Sequence, residues 1–137
     1  RVGLRISPGN PYNGMDIADP EPAFAALLQA ASLIVDSATG ERLAYVHVID
    51  MGLTDLDTLA MVRSNWPGQI VANNNLKADS ARLLLQSGRA EAVSFGRAFI
   101  ANPDLPKRMQ LGAALRKPDF TMLYTGEERG YTDYPPL

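Results

Sequence analysis

Gly96 and Arg97 stand where an apolar run, Ala92 to Phe95, gives way to Ala98-Phe99-Ile100-Ala101-Asn102-Pro103-Asp104-Leu105. The run reads as a short buried strand, followed by a turn of helix and then by a second helix start. Glycine lets another backbone or a ligand come close. Arginine brings a fixed positive charge and a five-donor fork. The first N–H groups of a helix have no partner inside it and favour anions. Glycine, arginine and a helix start at the carboxyl end of a strand therefore make a seat for a phosphate group. In a (βα)8 barrel such a seat belongs after the last two strands. A plain strand-to-helix turn with a surface arginine fits the same short motif, and these residues alone leave both readings open.

The chain has 137 residues, 46% of them hydrophobic, enough to bury one moderate core. A net charge of −2 with scattered Lys and Arg argues against a nucleic-acid or anionic-membrane footprint. There is no cysteine and a single histidine, which excludes disulfides, thiolate chemistry and multi-histidine metal sites. No apolar run approaches the roughly 18 residues of a membrane span and no signal peptide is visible, so a soluble, cytoplasmic chain is expected. Arg1 already lies inside a strand pattern, which leads us to expect a fragment or one piece of a cut chain.

The elements that must position these residues follow in order. Val2, Leu4 and Ile6 alternate with Gly3, Arg5 and Ser7 as a strand. Gly9 to Asp19 is a loop, and Asp19-Pro20 is an N-cap with proline at the first helical position. A helix is expected from Glu21 to about Ser37, with Phe24, Leu27, Leu28, Ala31 and Ile34 on one stripe. Leu43 to Ile49 is a near-continuously apolar strand, as parallel strands covered on both faces tend to be. A helix over Asp55 to Ser64, a turn at Trp66-Pro67-Gly68, a strand over Gln69 to Asn73 and a helix over Asp79 to Ser87 come next. The strand Ala92 to Phe95 and a helix from Pro103 to Leu111, capped by Asn102, complete the pattern.

Four strand–helix units imply a parallel sheet. The candidates are a small doubly wound sheet or half of a (βα)8 barrel, which when complete needs about 250 residues. Arg5, Ser7, Asp50, Asn73 to Asn75, Gly96 and Arg97 collect at the carboxyl ends of the strands, where both architectures bind ligands. No Gly-x-Gly-x-x-Gly turn follows the first strand, which favours the half-barrel.

Four blocks carry a more specific signal: Arg-Val-Gly-Leu-Arg-Ile-Ser-Pro (1–8), Leu-Ala-Tyr-Val-His-Val-Ile (43–49), Ser-Phe-Gly-Arg-Ala-Phe-Ile-Ala-Asn-Pro-Asp-Leu (94–105) and Gly-Tyr-Thr-Asp-Tyr-Pro (130–135). In identity, order and spacing they resemble the Old Yellow Enzyme family. The resemblance implies a flavin-dependent reductase on a TIM barrel, with residues 1–137 as the C-terminal half, strands five to eight plus the tail, of one FMN-binding domain. It implies that Arg5 reaches the flavin ring near N1, where reduction places negative charge. Phe95, Gly96 and Arg97 match the residues that hold the FMN phosphate. Asn74 falls where many relatives carry a glycine at the phosphate, a departure that asparagine's tolerance of left-handed angles can absorb; Asn75 beside it is a second polar contact. Tyr124 matches a tail tyrosine near the substrate face, though a tyrosine there can equally cover the barrel mouth.

The resemblance further implies NADH or NADPH as hydride donor and an α,β-unsaturated carbonyl or nitro compound as acceptor. The substrate-holding pair and the proton-donating tyrosine of the family would lie upstream of Arg1. No catalytic residue is therefore expected within this chain, and it should be inactive alone. It is expected to pair with an N-terminal half-barrel or to self-associate, because a half-barrel leaves two sheet edges open. A different phosphate-binding barrel enzyme and a non-catalytic binding or assembly module are the alternatives. His47 is expected as a satisfied structural histidine, Trp66 as an outer packing residue, and Tyr131 and Tyr134 as residues that pack the tail down. Asp16, Asp19 and Glu21 make no paired-carboxylate site.

Overall fold

A computed structural model of the chain describes residues 2–73, 75–124 and 127–137. They fall into two compact units, Arg1–Ser94 and Phe95–Leu137. In the first, β1 (Leu4–Ile6), β2 (Tyr45–Ile49), β3 (Gln69–Asn73) and β4 (Ala92–Val93) form one parallel sheet in the order β1-β2-β3-β4. The connections between them carry α1 (Pro20–Ser32), α2 (Thr58–Asn65) and α3 (Ala78–Gln86). Strands lying in chain order never reverse direction, whereas a doubly wound sheet has a switch point where they do. The fold is thus α/β and of the half-barrel kind, as the sequence pattern leads one to expect.

Strand register divides the sheet into two faces. Leu4, Val46 and Ile70 form one lateral row and Ile6, Val48, Ala72 and Val93 the next. Val46, Val48, Ile70 and Ala72 are buried, packed in one core with Leu28 and Ala31 of α1 and Leu59 and Val62 of α2. Each such aliphatic side chain contributes about 1.5–3 kcal/mol by leaving water. The alternate row, Arg5–His47–Val71–Ala92, faces the other way.

Several boundaries depart from the expected ones. α1 ends at Ser32 instead of Ser37, because Leu33 and Ile34 tighten onto the carbonyls of Ala30 and Ala31. Asp36 then pulls the chain into a turn, its Oδ1 accepting from Ala38 N (3.0 Å), Thr39 N (2.7 Å) and Thr39 Oγ1 (2.9 Å). Those bonds hold the Asp36 carboxyl below the usual carboxylate range. Asp19 occupies the α1 N-cap position without a side-chain cap bond, while Pro20 begins the helix as expected. α2 starts at Thr58, capped by Asp57, whose Oδ1 accepts from Ala60 N at 3.1 Å. β4 is shorter than Ala92 to Phe95, although Ser94 N still reaches Ala72 O at 2.9 Å. Trp66, expected at the outside, is buried within the core and donates from Nε1 to Gln69 O at 3.1 Å.

In the second unit, α4 (Arg97–Ala101) and α5 (Leu105–Leu111) are followed by irregular chain. Ala101, Leu105 and Leu123 are buried there, together with two polar residues, Asn102 and Arg108. Asn102 is a tie between segments, not the cap of α5: its Nδ2 donates to Ala98 O (2.9 Å) and Arg116 O (3.0 Å), and its Oδ1 accepts from Arg116 N (2.9 Å). Asp104 holds the N-cap position of α5, and its Oδ1 accepts from Arg108 Nε at 2.7 Å.

Candidate functional site

The polar residues of the first unit stand on the sheet face that its helices leave uncovered. Arg5 is exposed and lies beside His47 in the β1–β2 register. Among the described residues Arg5 makes no ion pair with a carboxylate. His47 is partly buried, and its Nε2 lies 2.8 Å from Ser94 Oγ. Asn73, the last residue of β3, donates from Nδ2 to Ser94 O (3.1 Å) and to Ser94 Oγ (2.9 Å). Burial, and then the positive charge of Arg5, hold the His47 imidazole below its ordinary pKa. Asn75 follows β3, is exposed, and has the left-handed φ of 56° that the sequence argument allowed at its neighbour. Asn74 itself lies outside the described residues.

Gly3 shows how closely this face is packed at the other end of the strands. A Cβ there would stand 2.4 Å from Cζ of the Tyr45 ring, so only glycine lets the ring lie against β1. His47 was expected to be a satisfied histidine, and it is. What the sequence reading missed is Ser94, whose only visible signal was to be the polar residue closing an apolar strand.

The second unit holds Phe95, Gly96 and Arg97 in succession, with Gly96 at the N-cap position of α4 and Arg97 as its first residue. Gly96 and Arg97 are exposed. The φ of Gly96 is −93°, and no atom lies within 4 Å of the place a Cβ would take. Neither backbone angle nor packing within the chain demands glycine there, so its bareness is available to an approaching ligand. Tyr124 is 93% exposed. Tyr134, expected to pack the tail, accepts from Asp119 N through its hydroxyl at 2.8 Å. Among the described residues no three acidic or histidine side chains are grouped to hold a metal ion. No helix among them is long and apolar enough to cross a membrane.

The model of the NADH:flavin oxidoreductase / NADH oxidase family matches residues 1–116. The chain belongs to that family. Among the flavin oxidoreductases it matches, a Leishmania infantum protein named "Probable flavin mononucleotide-dependent alkene reductase" is 33% identical over 98% of this chain and 36% of its own length. The solved morphinone reductase in complex with tetrahydroNAD superposes with a TM-score of 0.85 at 38% identity, covering all of this chain and 36% of that one. The old yellow enzyme from Trypanosoma cruzi gives a TM-score of 0.87 at 36% identity, over all of this chain and 35% of that one. The chain thus spans little more than a third of the length of the flavin oxidoreductases it resembles.

Proposed function

We propose that this chain supplies the FMN-binding share of an NAD(P)H-dependent ene-reductase. The observation that carries the reading is the family match over residues 1–116, which runs through both Arg5 and the Gly96–Arg97 start of α4. FMN held by these residues would supply the hydride chemistry that links NADH or NADPH to an activated C=C bond. Arg97, with the bare backbone at Gly96 and Phe95 leading into the pair, would hold the FMN phosphate at the start of α4. Asn75, which follows β3, and Asn74 would add polar contacts to FMN. Arg5, exposed on the first strand, would stand near N1 of the flavin ring, where a guanidinium would steady the negative charge of the reduced ring. Tyr124 lines the substrate side.

Reduction of a C=C bond is supported by a relative named alkene reductase; the acceptor we infer is an α,β-unsaturated carbonyl or a nitro compound. The reductase named in complex with tetrahydroNAD supports a nicotinamide donor. The remaining strands come from an N-terminal half-barrel or from a second copy of this chain, which would cover the open edges at β1 and β4.

Colour and release test the reading together. Purified protein should be yellow and should release FMN on denaturation. Arg97→Ala should loosen FMN by about 2–5 kcal/mol, the cost of removing one partner of a charged hydrogen-bonded pair. Colourless protein that gains no flavin on incubation with FMN would overturn the assignment, and unchanged retention in Arg97→Ala would remove that residue from it.

A further inference from the structure

His47 is a titratable group of the open sheet face for which the flavin reading has no use. Its surroundings define its protonation. Asn73 Nδ2 faces the Ser94 carbonyl at 3.1 Å, an atom that only accepts, which fixes the orientation of the amide. The same Nδ2 donates to Ser94 Oγ at 2.9 Å. With a donor already arriving at Oγ, the Ser94 hydroxyl has its proton free to turn toward His47 Nε2, 2.8 Å away. In that arrangement Nε2 accepts and the ring carries its proton on Nδ1.

We propose that His47 is a positioning residue for Arg5, tied by Ser94 and Asn73 as a neutral Nδ1–H imidazole so that, among the described residues, the guanidinium stands as the only cation on this face. The charged groups near it bear this out strand by strand. β1 contributes Arg5, in register with His47. On the same face β2 contributes Tyr45 and Ile49, β3 Gln69, Val71 and Asn73, and β4 Ala92, with Ser94 two residues further on; none of these is charged. Asp50, next in the chain, turns its Oδ1 to Gly52 N at 2.8 Å. A protonated His47 would put a second cation beside Arg5 and leave the Ser94 hydroxyl without its acceptor. The depressed basicity of the ring, due to burial and then to Arg5, agrees with this arrangement. The consequence for flavin rests on reading Arg5 as a flavin contact: the neutral ring leaves the guanidinium unrepelled and free to keep one pose against the cofactor.

The test needs no flavin, so its failure and failure of the flavin reading are separate results. His47 is the single histidine of the chain, and its imidazole NMR signals need no assignment. In the full chain the neutral ring should show the Nδ1–H tautomer, and its titration midpoint should lie below that of a free imidazole. Arg5→Gln and Ser94→Ala should each move the midpoint up, and Arg5→Lys, which keeps the charge, should hold it near the parent value. An Nε2–H tautomer, or a midpoint that neither Arg5→Gln nor Ser94→Ala moves, would overturn the proposal.

Discussion

Val46 and Val48 are fully enclosed, while Tyr45, His47 and Ile49, interleaved with them on β2, are not. β3 repeats the pattern, with Ile70 and Ala72 enclosed and Gln69, Val71 and Asn73 open to varying degree. One face of the sheet is apolar and covered by α1 and α2; the other bears Arg5, the His47–Ser94–Asn73 hydrogen bonds and little else that is charged. Parity along a strand therefore separates the residues that hold the unit together from those that can meet a ligand. The difference teaches that stability and chemistry can be altered independently here, residue by residue.

The sharpest way to break this comparison is Ile70→Ala, on the covered face. Ile70 is fully buried, and its truncation should cost about 3–4 kcal/mol by lost transfer energy and a residual cavity, read as a shift of the urea midpoint. A cost below about 1 kcal/mol would show that this face is not the core. Arg5→Gln on the opposite face should change stability by less than about 0.5 kcal/mol while loosening FMN. If the same substitution unfolded the unit, Arg5 would be structural and the division by parity would fail.

The smallest effect concerns acid. Because the folded environment holds His47 below its ordinary value, the unfolded chain takes up this proton first as the pH falls through about 6.5. Stability is then full above that pH and declines as the pH drops from there toward the folded midpoint. Urea midpoints at pH 7.5 and 5.5 should differ in this direction, and His47→Gln should abolish the difference. Burial pushes the Asp104 carboxyl up, but hydrogen bonds from Arg108 and Leu137 together outweigh it and hold the group below its usual range, as bonds from Thr121 do for Asp119; both act at lower pH.

Alternation and turn chemistry made the covered face legible in the sequence: Val46, Val48, Ile70 and the Gln69–Asn73 strand fall where pattern and period place them. Gly96 and Arg97 were legible because a helix start after a strand leaves a chemical signature in the residue types themselves. Helix ends were harder. The stop at Ser32 depends on Asp36 gathering three donors, and the role of Asn102 depends on Arg116, fourteen residues away. Ser94 was illegible for a similar reason. Its hydroxyl matters only because β2 and β3 bring His47 and Asn73 to it, and no local pattern records a neighbour from another strand.

The strand order has a consequence for how the chain comes off the ribosome. Each strand pairs with the one synthesised just before it, Leu4 with Val46, Val46 with Ile70 and Val71 with Ala92. Within this sheet a growing chain can therefore dock β2, β3 and β4 in turn on the edge that its predecessor leaves. Such stepwise growth keeps loop-closure costs small and gives each half-made sheet a defined place for the next piece to land.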